Sequence, residues 1–325
     1  MPPDIDAKQS VEVSLLIIFL NLGKNMKKFK LLNSLAIAIS LLGLPAISST
    51  AFGADDVEEV VAVGSRREAR SVGDSPAPVD IITGSDFVNQ GAMDLPDMIR
   101  TLVPSFNVGT QPISDAATLI RPANLRGLPP DNMLVLVNGK RRHRGAVISF
   151  LGSGISDGAQ GPDISAIPSI ALKQVEVLRD GASAQYGSDA IAGIMNFVLR
   201  DDSEGTQLEI RTGEYKEGDG DAWRVAANIG MPFTSAGFAN FSFELQDSQA
   251  TSRSVQRADA QGLYDGGNTA IWNYPEPAQI WGSPDVSDDY KFVVNIGLSL
   301  DESKDFYLFG NYGERNVLGG FFFRN

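Results

Sequence analysis

The chain has 325 residues, room for one or two domains, and a formal charge of −13, which disfavours wholesale nucleic-acid binding. It contains no Cys, so no disulfide, Cys–zinc site or thiol nucleophile exists. The single histidine, His143, excludes a multi-His metal cluster and leaves a Ser-His-Asp triad one possible base.

The first legible element is an address. Met26-Lys27-Lys28-Phe29-Lys30 is a basic stretch, and the apolar run Leu31 to Leu44 follows it. That run is too short to cross a bilayer comfortably, so a membrane anchor is the poorer reading. Small residues around Ser49-Thr50-Ala51 or Ala51-Phe52-Gly53 offer a cleavage site. The pattern predicts an exported protein with a signal peptide over 26–54, and Met26 is a better start than Met1. Residues 1–25 are then an upstream extension.

Acidic Asp55 to Glu59 leads into Val60-Val61-Ala62-Val63-Gly64. Such a short β-prone run is either a loosely attached first strand or an extended peptide. As a peptide it would offer its backbone to the edge of a partner's sheet. Residues 55–75 are read as this segment and its linker.

Residues 76–204 read as one α+β domain, a small mixed sheet with short helices. Val79 to Ile82 is a short strand, and Ser85 is placed to cap a helical turn. Asp94 is a second N-cap, with Pro96 in the first turn. Leu95, Met98, Ile99 and Leu102 form one apolar helix face, and Pro104 ends the helix. Leu119-Ile120 and Leu125-Arg126-Gly127 read as short strand pieces. Met133 to Val137 is a buried strand ending in the tight turn Asn138-Gly139. Ile164 to Leu172 is loop and short helix.

The segment Lys173 to Arg200 reads strand, turn, helical turn, glycine hinge, strand. Val175 and Val177 alternate with Gln174 and Glu176, a half-buried strand. Asp180-Gly181 is the turn, and β-type sequence resumes from Ile191 to Leu199.

From Gly205 onward strands alone remain, with more glycine, Asn and aromatic residues. Apolar and polar residues alternate through Leu208–Ile210, Trp223–Ile229, Phe241–Leu245 and Phe292–Leu300. A fifth candidate, Asp305 to Arg315, has aromatics on both faces, so its orientation stays open. These strands approach the length a tilted membrane strand needs. If the first runs outward, residues 216–221 and 248–288 are external, while 231–237 and 301–304 are short inner turns. A soluble β-sandwich would also alternate, but it has no reason to sort its loops by length.

Other clusters carry less. Lys140-Arg141-Arg142-His143-Arg144 is a basic run without interleaved aromatics, best read as a solvated loop. Gly152 to Gly158 is a flexible loop rather than a phosphate cradle, because no helix opens after it. Asp157 and Asp163 have no fixed spacing that would make them a catalytic pair. No nucleophile–base set emerges, so the chain reads as a non-enzyme without cofactor or metal.

Several strings together resemble TonB-dependent outer-membrane receptors over residues 55–325. They are Glu58 to Arg66, Leu125-Arg126-Gly127-Leu128, Met133 to Gly139, Val175 to Phe197, and the terminal Leu308 to Asn325. The resemblance implies a plug domain followed by antiparallel strands of a transmembrane β-barrel. It makes Glu58, Glu59, Val60, Val61, Ala62 and Val63 a TonB box. Ala62 stands where Val or Thr is commoner. The implied partners are TonB with its inner-membrane ExbB–ExbD proton-driven complex, outer-membrane lipid, and a small-molecule ligand whose identity the strings do not give.

The resemblance also makes Arg126 and Arg179 latches to barrel glutamates, and Gly127, Gly181, Gly187 and Gly193 hinge or turn positions. The competing reading pairs each arginine inside the domain, Arg179 with Glu176 or Asp180. Asp180 occupies a position where the family has glycine, and Gly181 follows at once. A plug-enclosing barrel has about 22 strands. The 205–325 segment holds about five, so the expectation is an incomplete barrel, unable to transport alone. A soluble periplasmic ligand- or partner-binding module is the alternative.

Overall fold

Met133–Val137 is a run of five apolar residues, and all five are buried. A strand covered on both faces belongs inside a sheet. In the computed structural model this strand, β6, lies between β9 (Gly193–Leu199), its parallel neighbour, and the short antiparallel β7 (Lys140–Arg141). On the far side β9 pairs antiparallel with β8 (Leu172–Leu178), and β8 with β3 (Val79–Thr83). The structure describes residues 60–61, 70–71, 79–109, 117–149, 154–234, 236–268, 282–301 and 304–319. The signal-like segment 26–54 lies outside them.

Two apolar layers flank this mixed sheet. Phe87, Met98 and Ile99 pack with Val135, Val175 and Phe197 on one face. Leu134, Leu136, Leu178 and Ile194 form the layer on the other. Helix α1 (Gly84–Val88) and helix α2 (Leu95–Leu102) supply the first layer. Asp94 caps α2 by accepting the Asp97 N–H at 3.1 Å, as the sequence predicts. Helix α1 corrects the reading of Ser85: the N-cap is Thr83, whose N–H and hydroxyl both donate to Asp86 at 2.8 Å. A small antiparallel pair, β4 (Phe106–Val108) and β5 (Ala123–Leu125), completes the domain.

Three further expectations change. Ala117–Ile120 is a helical turn, α3, not a strand piece. Arg126 and Gly127 both have positive φ, 54° and 70°, so strand β5 stops before them in a turn. Glu176 is buried rather than facing solvent, and its carboxylate accepts the Asn196 side-chain N–H at 3.0 Å. Asn196 in turn accepts the Gly139 N–H at 2.9 Å, tying β8 and β9 to the Asn138-Gly139 hairpin.

The second sheet runs in sequence order: β10 (Thr206–Gly213), β11 (Ala222–Pro232), β12 (Gly237–Ser248), β13 (Asp285–Asp301) and β14 (Lys304–Leu318). Every pair is antiparallel, and the sheet is open among the described residues. Its burial is inverted. Leu208, Ile210 and Phe292 are 58%, 47% and 41% exposed. Arg224, Glu244 and Lys291 are only 0%, 2% and 3% exposed. The polar face lies against the α/β domain. β14 continues this pattern: Tyr307, Asn311 and Arg315 bond to that domain, while Phe306, Leu308 and Tyr312 are exposed.

Candidate functional site: the domain–strand interface

The α/β domain is held on the strands mainly by arginines that the strands contribute. Arg224 of β11 donates to Glu244 at 2.7 Å and to Glu209 at 2.8 Å. Its third arm reaches Ser169 of the α/β domain at 2.6 Å. Lys291 of β13 closes the network on Glu244 at 2.6 Å and Asp289 at 3.3 Å. Buried charges of this kind are tolerable only when each is paired, and here every charge has a partner.

Arg211 of β10 acts on main chain. Its guanidinium donates to the carbonyls of Phe87 (3.0 Å), Val88 (2.9 Å), Ala92 (3.1 Å) and Gln90, and it also pairs with Glu209. Those carbonyls lie at and just after the end of α1, where helix carbonyls lack intrahelical donors. Arg315 of β14 pairs with Asp163 at 3.2 Å and donates to Ser165 and to the Leu119 carbonyl. Asn295 donates to the Arg200 carbonyl at 2.9 Å. Apolar contact is local, through Val293 and Phe309.

Neither arginine expected as a latch pairs with a glutamate of the described strands. Arg179 pairs with Asp80 of β3 at 2.6 Å, within the α/β domain but with neither Glu176 nor Asp180. Arg126 is exposed in its turn. Sequence reasoning missed Arg211, Arg224 and Arg315. The available signal was an ionisable residue at a strand position whose neighbours alternate as outward-facing apolar residues.

Of the glycines, Gly127, Gly187 and Gly193 have φ of 70°, 90° and 139°. At Gly193 an added Cβ would also run into the Leu178 carbonyl oxygen, so only glycine fits there. Gly181 has ordinary φ, and its N–H is bonded to Asp180 at 2.7 Å. The basic run is not simply solvated. Arg141 pairs with Asp189 at 2.5 Å, and Arg142 donates to Asn311 of β14 at 2.6 Å. His143 is exposed, and no grouping of metal-ligating side chains occurs among the described residues. Of the box, Val60–Val61 forms a short strand, β1, antiparallel to β2 (Arg70–Ser71). The remaining box residues lie outside the described residues.

A cavity of about 490 Å³ opens where α2 and α3 face the 213–222 turn and the adjoining ends of β12, β13 and β14. Arg121 lines it and pairs with Asp94 and with Asp97 (3.0 Å). Burial pushes the Asp94 carboxyl up to about 6, against the pull of Arg121. Burial acts the same way on Asp97, but Arg121 wins there and holds it below the usual range. Burial opposes charge on Arg121, and the two carboxylates more than restore it.

Residues 71–194 match the family model described as TonB-dependent Receptor Plug Domain. A vitamin B12 transporter of Photobacterium profundum is 27% identical over 185 residues, 57% of this chain and 27% of that protein. An iron-regulated outer membrane virulence protein of Vibrio cholerae is 29% identical over 175 residues, 53% of this chain and 24% of that protein. The chain thus spans about a quarter of the length of these relatives. Among solved structures, the ferric enterobactin receptor of Pseudomonas aeruginosa matches with a TM-score of 0.55 at 19% identity, over 74% of this chain and 33% of that one. The siderophore receptor PirA of Acinetobacter baumannii gives 0.52 at 20%, over 74% and 32%. Those two likenesses concern the fold, a small mixed sheet followed by antiparallel strands. Over residues 71–194 the chain is thus similar to the plug domain of TonB-dependent receptors.

Proposed function

We propose that this chain is the plug and first wall of an outer-membrane, TonB-dependent receptor that takes up a scarce small ligand without chemically altering it. The plug occludes the barrel lumen, and ligand arrives from the external side. Residues Glu58 to Val63 are the box that TonB captures by strand addition, with ExbB–ExbD supplying the proton-driven force. For Val60 and Val61 this means leaving their pairing with Arg70–Ser71.

The observation that carries the reading is the inverted sheet. A soluble β-sandwich buries its apolar face, whereas here Arg224, Glu244 and Lys291 are buried and Ile210 and Phe292 face outward. An outward apolar band is stable against lipid and costly against water. The turn lengths agree. Strands β11 and β12 are separated by four residues and β13 and β14 by two, whereas 36 residues separate β12 from β13.

The test is membrane partitioning of the chain expressed with its own N-terminus in a Gram-negative host. The expected result is recovery in the outer-membrane fraction after an alkaline wash. Recovery as clean soluble periplasmic protein would overturn the receptor reading in favour of a soluble binding module.

A further inference from the structure

We infer that the cavity between α2 and the ends of β12–β14 binds an uncharged, hydroxyl-rich small molecule of saccharide type. This rests on the receptor reading, because it takes the cavity as reached from the external side, where the 213–222 turn and the long 249–284 connection lie.

Size comes first. At about 490 Å³ the cavity falls in the roughly 300–1,000 Å³ range of small-molecule sites. Two independent parts of the molecule build it. The plug supplies Asp94, Asp97 and Arg121, and the strands supply Gln246, Lys291 and Arg315.

Gln246 is the orphan. It is 6% exposed and lines the cavity, and its Oε1 is buried with no hydrogen-bond partner. A buried amide oxygen of this kind calls for a donor. Its opposite neighbour on β11, Arg224, directs its donors to Glu244, Glu209 and Ser169 and makes no bond to this oxygen.

Charge then narrows the ligand class. Four lining cations face four lining carboxylates. Arg121 is spent on Asp94 and Asp97, and Arg315 on Asp163. Lys291 is spent on Glu244 and Asp289. Arg100, the fourth cation, pairs with Asp97 at 3.3 Å, and Glu214, the one carboxylate of the four without an ion pair among the described residues, is exposed at the rim. An ionic guest seated deeper in the cavity would have to break one of these pairs.

A hydroxyl compound avoids that cost. Each hydroxyl both donates and accepts, so it can join an occupied carboxylate–guanidinium pair and still supply the donor that Gln246 lacks. Met93 and Tyr215 add apolar surface for the carbon face of such a ligand.

The experiment uses the full chain in amine-oxide micelles, which present no sugar headgroup. Maltotriose, cellotriose and xylotriose are titrated calorimetrically, with citrate and ferric enterobactin as anionic comparators. At least one trisaccharide should bind saturably. Gln246→Leu should weaken it by roughly tenfold through the lost hydrogen bond. Met93→Trp fills the cavity from the plug side without touching the polar set, and it should abolish binding with the near-UV spectrum unchanged. The inference falls if no trisaccharide binds, or if both variants bind as well as the parent. It falls equally if ferric enterobactin binds and the same variants remove it. That last outcome leaves the receptor reading standing, whereas failure to enter outer membranes overturns the reading and not the titration.

Discussion

The plug domain and the strand sheet bury opposite chemistries. In the plug, Met98, Ile99, Val175 and Phe197 are inside, with Glu176–Asn196 as a paired polar exception. In the strand sheet, Arg224, Glu244, Lys291, Asn228 and Asn240 are inside with Val293 as an apolar exception among large side chains, while Leu208, Ile210 and Phe292 point away. Both regions satisfy the same rule, that each face meets a compatible medium. On the proposed receptor reading, the outward face of the strands meets hydrocarbon. The difference shows that alternation fixes a strand's two faces, while only the burial of each face reveals its solvent.

The largest expected effect removes a charge from the strand interior. Arg224→Ala takes one of two cations from each of Glu209 and Glu244, which keep Arg211 and Lys291, and should cost about 3 kcal/mol, the low end for a broken buried pair. It should appear as a lower urea midpoint of the chain in micelles. The plug counterpart, Met98→Ala, leaves an apolar cavity worth about 2–5 kcal/mol and no orphan charge. Arg224→Lys, which keeps a cation beside Glu209 and Glu244, should recover part of the Arg224→Ala loss, and no polar rescue exists for Met98→Ala. If Arg224→Ala proves silent, the polar network does not hold the two regions together.

A smaller effect separates the two faces of one strand. Val293 of β13 is buried against the plug core, and its neighbour Val294 points outward. On the lipid face, Val294→Lys should cost about 2–4 kcal/mol near the midplane. Outer-membrane recovery should then fall. Leu300→Lys, at the 62%-exposed inner end of the same strand, should be nearly neutral. Equal recovery of both variants would mean that the outward face does not meet lipid.

Much of the architecture was legible because local chemistry dictates it. Asp94-Leu95-Pro96 announces a helix start, Asn138-Gly139 a hairpin, and period-two alternation the five strands. The misreadings share a cause, which is competition that a single string does not display. Ser85 lost the cap because Thr83 precedes an acidic residue at the right offset. Leu119-Ile120 turned helical although its β-branched residue suits a strand. The interface was least legible. Arg211 grips four main-chain carbonyls, and main-chain acceptors have no sequence signature. Arg179, whose motif resembles a latch, bonds among the described residues to Asp80, which is in register with Val177 on the β3–β8 pair.

The smallest effect concerns Asp94, which belongs to the plug but lines the shared cavity. Its pKa is raised from 3.8 to about 6, chiefly by burial. The folded chain therefore binds its proton more tightly than the unfolded chain between those values. By linkage, stability from this group is greatest at low pH and is lost as pH rises through about 6. Asp97 has the opposite sign: its pKa is lowered, so it adds stability above its unfolded value and loses it on acidification. The two carboxylates thus act in different windows. Asp94→Asn keeps a capping oxygen for the Asp97 N–H and removes the titration. Between pH 4 and 7 the parent should lose on the order of 1 kcal/mol relative to Asp94→Asn, with no further change above pH 7. The check is a series of urea midpoints for both proteins in the same micelles. A parent that instead gains on Asp94→Asn as pH rises would show that the Arg121 attraction outweighs burial, making Asp94 an ordinary ion-pair carboxylate.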